Sequence, residues 1–155
     1  MLLNESDFVP KFEENNMTDW EVIVPPYVLP DVLQRQLRGW SKAFDKPGAI
    51  TFHILFPNDY PKSVPFVRVV RPRFKYRTGH VTLGGSICNE MLTPAGWREM
   101  SVEALIYAVL GIMQDGNAQI QVQPDVHCSH PHIDYELAGA QETYKTAARV
   151  HGWKV

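Results

Sequence analysis

Gly79-His80-Val81-Thr82-Leu83-Gly84-Gly85-Ser86-Ile87-Cys88-Asn89-Glu90-Met91-Leu92-Thr93-Pro94-Ala95-Gly96-Trp97 is the stretch on which the reading of this chain turns. It places one of the chain's two cysteines just after a Gly-Gly pair and just before a short apolar turn. Glycine tolerates close approach and unusual backbone angles, so such a loop can present a thiol and bring main-chain N–H groups towards it. Presented in this way, Cys88 is a candidate nucleophile. The plainer reading is a cysteine that packs as a small hydrophobe. Taken alone the loop favours packing, and the flanking sequence has to decide.

A chain of 155 residues is long enough for one domain with a substantial core. Its net charge of −2 gives no electrostatic case for nucleic acid. The basic residues Arg68, Arg71, Arg73, Lys75 and Arg77 do cluster, as a solvated loop or as a docking patch for an acidic surface. No run approaches the ~18 apolar residues of a membrane span, and Met1-Leu2-Leu3 passes at once into polar sequence, unlike a signal peptide. Two cysteines make no disulfide scaffold, so a reducing setting, cytoplasmic or nuclear, is expected.

Residues 1–17 read as an extended lead-in anchored by Phe8, Val9 and Phe12. Trp20–Val24 alternates as a strand and is stopped by Pro25-Pro26. Asp31 opens a short helix with Leu33 and Leu37 on one face, and Gly39 stands where a helix ends. Ile50–Phe56 and Pro65–Val70 are β-branched and aromatic, and complete an antiparallel meander of three strands. Alternation places His53 outward on its strand. Ser101 caps a helix to about Met113 that is apolar nearly all round and therefore central. Ala118–Gln123 alternates as a short strand or extended segment. A last helix spans about 134–151 with a stripe of Leu137, Gln141, Tyr144 and Ala148, interrupted by Gly139. The class is α+β.

Four blocks in this order resemble the catalytic domain of ubiquitin-conjugating enzymes: Phe56-Pro57-Asn58-Asp59-Tyr60-Pro61 with Pro65-Phe66-Val67-Arg68-Val69; Gly85-Ser86-Ile87-Cys88 with Leu92; Trp97 and the apolar helix after it; and the last helix. Gly84 to Trp97 is similar almost residue for residue to the Q-type branch, as are the helical insertion at 31–39 and Ala140-Gln141-Glu142-Thr143-Tyr144. The resemblance covers about residues 18–153 and implies a ubiquitin-conjugating-enzyme-like fold in one domain, 1–155: a small antiparallel sheet packed against a central helix and a C-terminal helix. The family's first helix is expected to be short or absent.

By that resemblance Cys88 carries ubiquitin, or a ubiquitin-like protein, as a thioester. It receives the passenger from an activating enzyme and passes it to a lysine or to a ligase cysteine. That chemistry asks for a thiol, a held tail and an open approach, without a protease-like triad or a cofactor. The wider family's His-Pro-Asn triplet is missing. His80 falls eight residues before Cys88, where the asparagine would stand, and is expected to brace the loop or to donate to the oxyanion. Lys62 replaces an aromatic through which many members meet their ligase.

Three other readings compete. One is a catalytically weak or inactive ubiquitin-binding or scaffold variant of the same fold, and another is a cysteine hydrolase using one of the histidines as base. The third is a metal site at His127-Cys128-Ser129-His130-Pro131-His132. Adjacent His127 and Cys128 are awkward for one tetrahedral site, so loop residues without metal are expected.

Overall fold

The computed structural model describes residues 8–13 and 16–155. Its centre is a four-stranded sheet in the order β1 (Val9–Glu13), β2 (Asn16–Val24), β3 (Ile50–Leu55), β4 (Phe66–Arg71), all neighbours antiparallel. The expected meander gains an edge strand: residues 9–13 of the lead-in pair with β2, Val9 opposite Ile23 and Lys11 opposite Glu21. Pro10 lies on that edge, the one place where a missing backbone donor costs a sheet little. Residues 1–7 fall outside the described part, and among the described residues the first α-helix begins only at Asp31.

One sheet face presents Val22, Val24, Phe52, Ile54, Val67 and Val69, all buried in the main core. Helix α1 (Asp31–Phe44) covers part of it with Leu33, Leu37 and Trp40. It runs past Gly39, because Gly39 faces open solvent while the next residue, Trp40, is wholly buried and donates its indole N–H to the Pro131 carbonyl at 3.1 Å. Asp31 sits in the first turn rather than at the cap, and the helix stops at left-handed Asp45, before Pro47.

Helix α2 (Val102–Asp115) is capped by the Ser101 hydroxyl, which accepts from the Ala104 N–H at 3.2 Å. It is not buried all round. Leu105, Ile106, Val109 and Met113 are enclosed, whereas Ala104, Tyr107 and Gly111 are exposed. The Phe8 ring packs edge-on to Tyr107 at 5.0 Å, which ties the lead-in to this helix. Ala118–Gln123 makes one β-bridge, Ile120 with Phe74, rather than a regular strand. Helix α3 (Leu137–His151) buries Ala140 and Ala148, with Gln141 in solvent. No helix among the described residues is long and apolar enough to cross a membrane.

The second sheet face is covered too, by the segment leading into α3. This is why His53, which does point away from the main core, is only 7% exposed. Arg68 Nε donates to His53 Nδ1 at 2.8 Å, leaving His53 Nε2 as the donor to Asp19 Oδ1 at 2.6 Å. Arg68 also donates to the Tyr135 carbonyl at 3.2 Å, and Arg71 grips Asp134 with two bonds of 2.9 and 2.8 Å. The sequence-level basic patch is therefore dispersed. Arg73 bonds the Ile133 and Asp134 carbonyls, Lys75 reaches Gln119, and Arg77 lines the groove that holds Cys88.

Candidate functional site

The Gly-Gly loop is a hairpin docked on the free edge of β4. Thr82 N–H donates to the Ser86 carbonyl at 2.8 Å and Gly85 N–H to the Thr82 carbonyl at 2.9 Å, closing the turn. Val69 N–H donates to the Gly85 carbonyl at 2.8 Å and Ile87 N–H to the Val67 carbonyl at 3.2 Å, so residues 85–87 continue the sheet. Gly85 has φ 101°, and a Cβ there would meet the Tyr135 ring at 2.5 Å. Both the angle and the space demand glycine. Gly84 lies against the Gly139 carbonyl of α3.

Cys88 emerges half-buried where this added strand ends. Its N–H donates to the His80 carbonyl at 2.7 Å, so this main-chain donor braces the loop instead of facing a reacting oxygen. Burial pushes the thiol up from its ordinary value, so the neutral form is favoured at rest. Beyond it the Asn89 side chain accepts from Met91 N–H at 2.9 Å and caps a single 3-10 turn, Glu90–Leu92. Trp97 follows, donating its indole N–H to the Pro61 carbonyl at 2.8 Å. It closes an aromatic series, Trp20 to Phe56 to Tyr60 to Trp97, with ring centres 5.2, 4.7 and 6.1 Å apart. Desolvation raises the Tyr60 hydroxyl to about 12, so it stays a donor to the Met100 carbonyl, 2.6 Å away.

The structure brings Cys88 and His80 to one open groove of about 270 Å³, lined also by Arg77, Val81, Thr82 and Gly116. His80 is exposed and holds a left-handed backbone, φ 58°. The end of α2 fixes it there: Gly79 N–H donates to the Gly116 carbonyl at 2.8 Å, and a Cβ on Gly116 would come within 2.7 Å of the His80 ring. Such a conformation in a non-glycine residue costs energy and persists where its surroundings dictate it. Asp115 and Asn117 flank this turn, Asn117 with φ 54°.

Sequence reasoning missed the clasp on the far side of the loop. Thr143 of α3 shares a hydroxyl cluster with Thr82 and Ser86: Thr82 to Ser86 is 2.6 Å and Thr82 to Thr143 is 2.8 Å. Tyr144 donates to the Leu92 carbonyl at 2.9 Å and meets the Phe66 ring edge-on at 5.7 Å. Burial raises the Tyr144 hydroxyl first, and the charge of a Cys88 thiolate adds to the shift. Helix α3 thus grips the loop on both sides of the cysteine.

The histidine-rich segment is spent on packing. His127 stacks on Tyr76 at 3.9 Å, His132 on Phe44 at 5.4 Å, and His130 meets His132 edge-on. Cys128 is buried. Among the described residues no three His, Cys, Asp or Glu side chains converge as a metal cluster.

This combination, an antiparallel meander extended by a cysteine loop and closed by α2 and α3, is that of a ubiquitin-conjugating-enzyme fold. No family model matches the chain. Curated relatives do match it. Ubiquitin-conjugating enzyme E2 Q1 of Homo sapiens is 34% identical over 153 residues, which is 95% of this chain and 34% of that protein. The ubiquitin-conjugating enzyme E2 Q-like protein CG4502 of Drosophila melanogaster is 33% identical over 109 residues, 68% of this chain and 33% of its own length. The E2 Q-like protein 1 of Mus musculus is 29% identical over 142 residues, 89% of this chain and 81% of its own length. The chain belongs to the ubiquitin-conjugating-enzyme family. Within it, the chain falls in the Q-type branch. It spans about a third of the length of E2 Q1 and of the Drosophila protein.

Proposed function

We propose that the chain is a working conjugating domain that accepts ubiquitin, or a ubiquitin-like protein, from an activating enzyme as a thioester on Cys88. It then gives the acyl group to a lysine amine or a ligase cysteine. The observation that carries the proposal is a half-buried thiol at the mouth of an open groove, held from both sides by β4, α2 and α3. A raised thiol suits an acyl carrier. The incoming thioester is already activated, so transfer needs only a small thiolate fraction, and a less stable thiolate is a stronger nucleophile once formed.

In this reading the His80 carbonyl fixes the main chain of Cys88, and the His80 ring lies in the groove where it supports the loop and can donate to the developing oxyanion. The other histidines are engaged elsewhere: His53 with Asp19 and Arg68, His127 with Tyr76, His132 with Phe44 and His130, and His151 with Trp153. A hydrolase base would have to be His80 itself. An intracellular setting, cytoplasmic or nuclear, where activating enzyme and ATP are present, goes with the proposal.

Incubation with activating enzyme, ATP and ubiquitin tests it. A thiol-sensitive adduct is expected, becoming thiol-resistant in Cys88→Ser, where an oxyester forms, and lost in Cys88→Ala. An adduct of wild-type yield on Cys88→Ala defeats the proposal. Ubiquitin binding in an NMR titration with no adduct establishes the inactive scaffold reading in its place.

A further inference from the structure

Of the six side chains and main-chain segments lining the Cys88 groove, Arg77 alone brings a permanent charge. The ion pairs found among the described residues are His53–Asp19 and Arg71–Asp134, so the Arg77 guanidinium is not spent on a carboxylate among those residues. It is nonetheless held. Arg77 Cζ lies 5.4 Å over the Tyr76 ring, and the Tyr76 ring is itself stacked with the His127 ring at 3.9 Å and 23°. The main chain of His127 is anchored in turn, its N–H donating to Asp125 Oδ1 at 2.8 Å. Arg77 also carries a left-handed backbone, φ 58°, which restricts where the side chain can start from. A guanidinium laid over an aromatic face keeps the edge of its donor fork available for a carboxylate.

We propose that Arg77 is a specificity-determining residue, with which the groove selects acceptors that carry a carboxylate close to the attacking lysine. The inference rests on the reading of Cys88 as acyl carrier and adds the class of acceptor. In the transfer step the lone pair of a deprotonated lysine amine attacks the thioester carbonyl carbon. The C–N bond forms as the C–S bond breaks, Cys88 leaves as thiolate, and the proton shed by the nitrogen ends on that thiolate or in water. Arg77 takes no part in these bonds. It holds the acceptor's Asp or Glu at the groove rim, and the segment around His127, which the transfer chemistry otherwise leaves without a role, becomes the support that fixes the cation.

The test separates loading from discharge. The chain is first loaded with ubiquitin and the ATP removed. The thioester is then discharged under single-turnover conditions to a lysine peptide with flanking glutamates, or to its glutamine counterpart. Failure to load would remove the thioester reading, and this inference with it, before the peptides are added. With loading intact, the wild type should discharge roughly two- to fivefold more efficiently to the acidic peptide, the size expected of one exposed ion pair. The gain should lie mainly in half-saturation and fall towards one in high salt. Arg77→Glu should reverse the order of the two peptides, a result that misfolding does not produce. Tyr76→Leu and His127→Ala should shrink the preference, and Tyr76→Phe should keep it. Equal discharge to both peptides by the loaded wild type, or an Arg77→Glu variant with the wild-type ratio, overturns the proposal.

Discussion

Replacing Gly84 by alanine tests whether α3 truly holds the cysteine loop. Gly84 has no left-handed backbone, so what excludes a side chain there is space. A Cβ would run into the Gly139 carbonyl of α3 and stand 2.6 Å from the Thr143 hydroxyl, so the helix start must retreat. Retreat strains the packing, worth about 1–3 kcal/mol for an inserted methyl. It also stretches the 2.8 Å Thr82–Thr143 bond, worth about 1 kcal/mol net. The sum, roughly 2–4 kcal/mol, lowers Tm by about 5–15 °C in a domain of this size. The partner position behaves oppositely. A Cβ on Gly139 meets nothing within 4 Å, because the contact runs through its carbonyl, so Gly139→Ala should gain about 0.5–1 kcal/mol from helix propensity. Thermal unfolding by circular dichroism reads both. A Gly84→Ala variant within a degree of wild type, or a Gly139→Ala loss as large as that of Gly84→Ala, would refute the clasp.

Other consequences follow from the groups around the site. Iodoacetamide alkylation of Cys88 followed against pH should show a midpoint above that of free cysteine in the same buffer, because burial favours the neutral thiol; a midpoint below it contradicts the burial argument. Arg71 holds the Asp134 carboxyl below the usual carboxylate range, chiefly by its hydrogen bonds. A depressed folded-state value means stability that is full above the ordinary carboxylate range and lost as pH falls through the depressed one. Asp134→Asn should therefore sit below wild type by at most about 1 kcal/mol at neutral pH, since the pair is partly exposed, and the two curves should merge in acid. Arg68 is 8% exposed and serves both His53 and the Tyr135 carbonyl, so Arg68→Ala should cost about 2–4 kcal/mol in urea unfolding. Arg68→Lys should not restore this loss, because a point-like ammonium does not span the two acceptors.

What the sequence made legible was local. Ile50–Leu55 shows its strand through β-branched and aromatic residues, and α2 its start through the Ser101 cap. Cys88 stands out through its Gly-Gly loop and His80 through the family resemblance, which sets it where an asparagine would stand, and both side chains line one groove. Where the reading missed, a non-local contact had decided. Gly39 looked like a helix end, but the burial of Trp40 against the 131 segment outweighs the roughly 1 kcal/mol that a solvent-facing glycine costs. His53 obeyed its alternation, yet nothing near it in sequence shows that residues 134 and 135 come back to cover that face. Residues 9–13 are ordinary as a segment and become a strand only because β2 offers an edge. Gln141 took a place on the apolar stripe that the structure gives to Ala140. Arg77 and Thr143 belong to the site through contacts with Tyr76 and Thr82, and only Gly84-Gly85, a pair too small to face anything but close backbone, hinted that a helix would lie against the loop.

In the proposed function Cys88, half-buried at the groove, carries the passenger, and the buried Cys128 does not. Intact-mass measurement after loading with ubiquitin, followed by peptide mapping of Cys88→Ser and Cys128→Ser variants, tests it most directly. One added ubiquitin mass is expected on wild type and Cys128→Ser, released by thiol, with a thiol-stable linkage mapped to residue 88 in Cys88→Ser. A thiol-sensitive adduct that survives in Cys88→Ser and disappears in Cys128→Ser would contradict it.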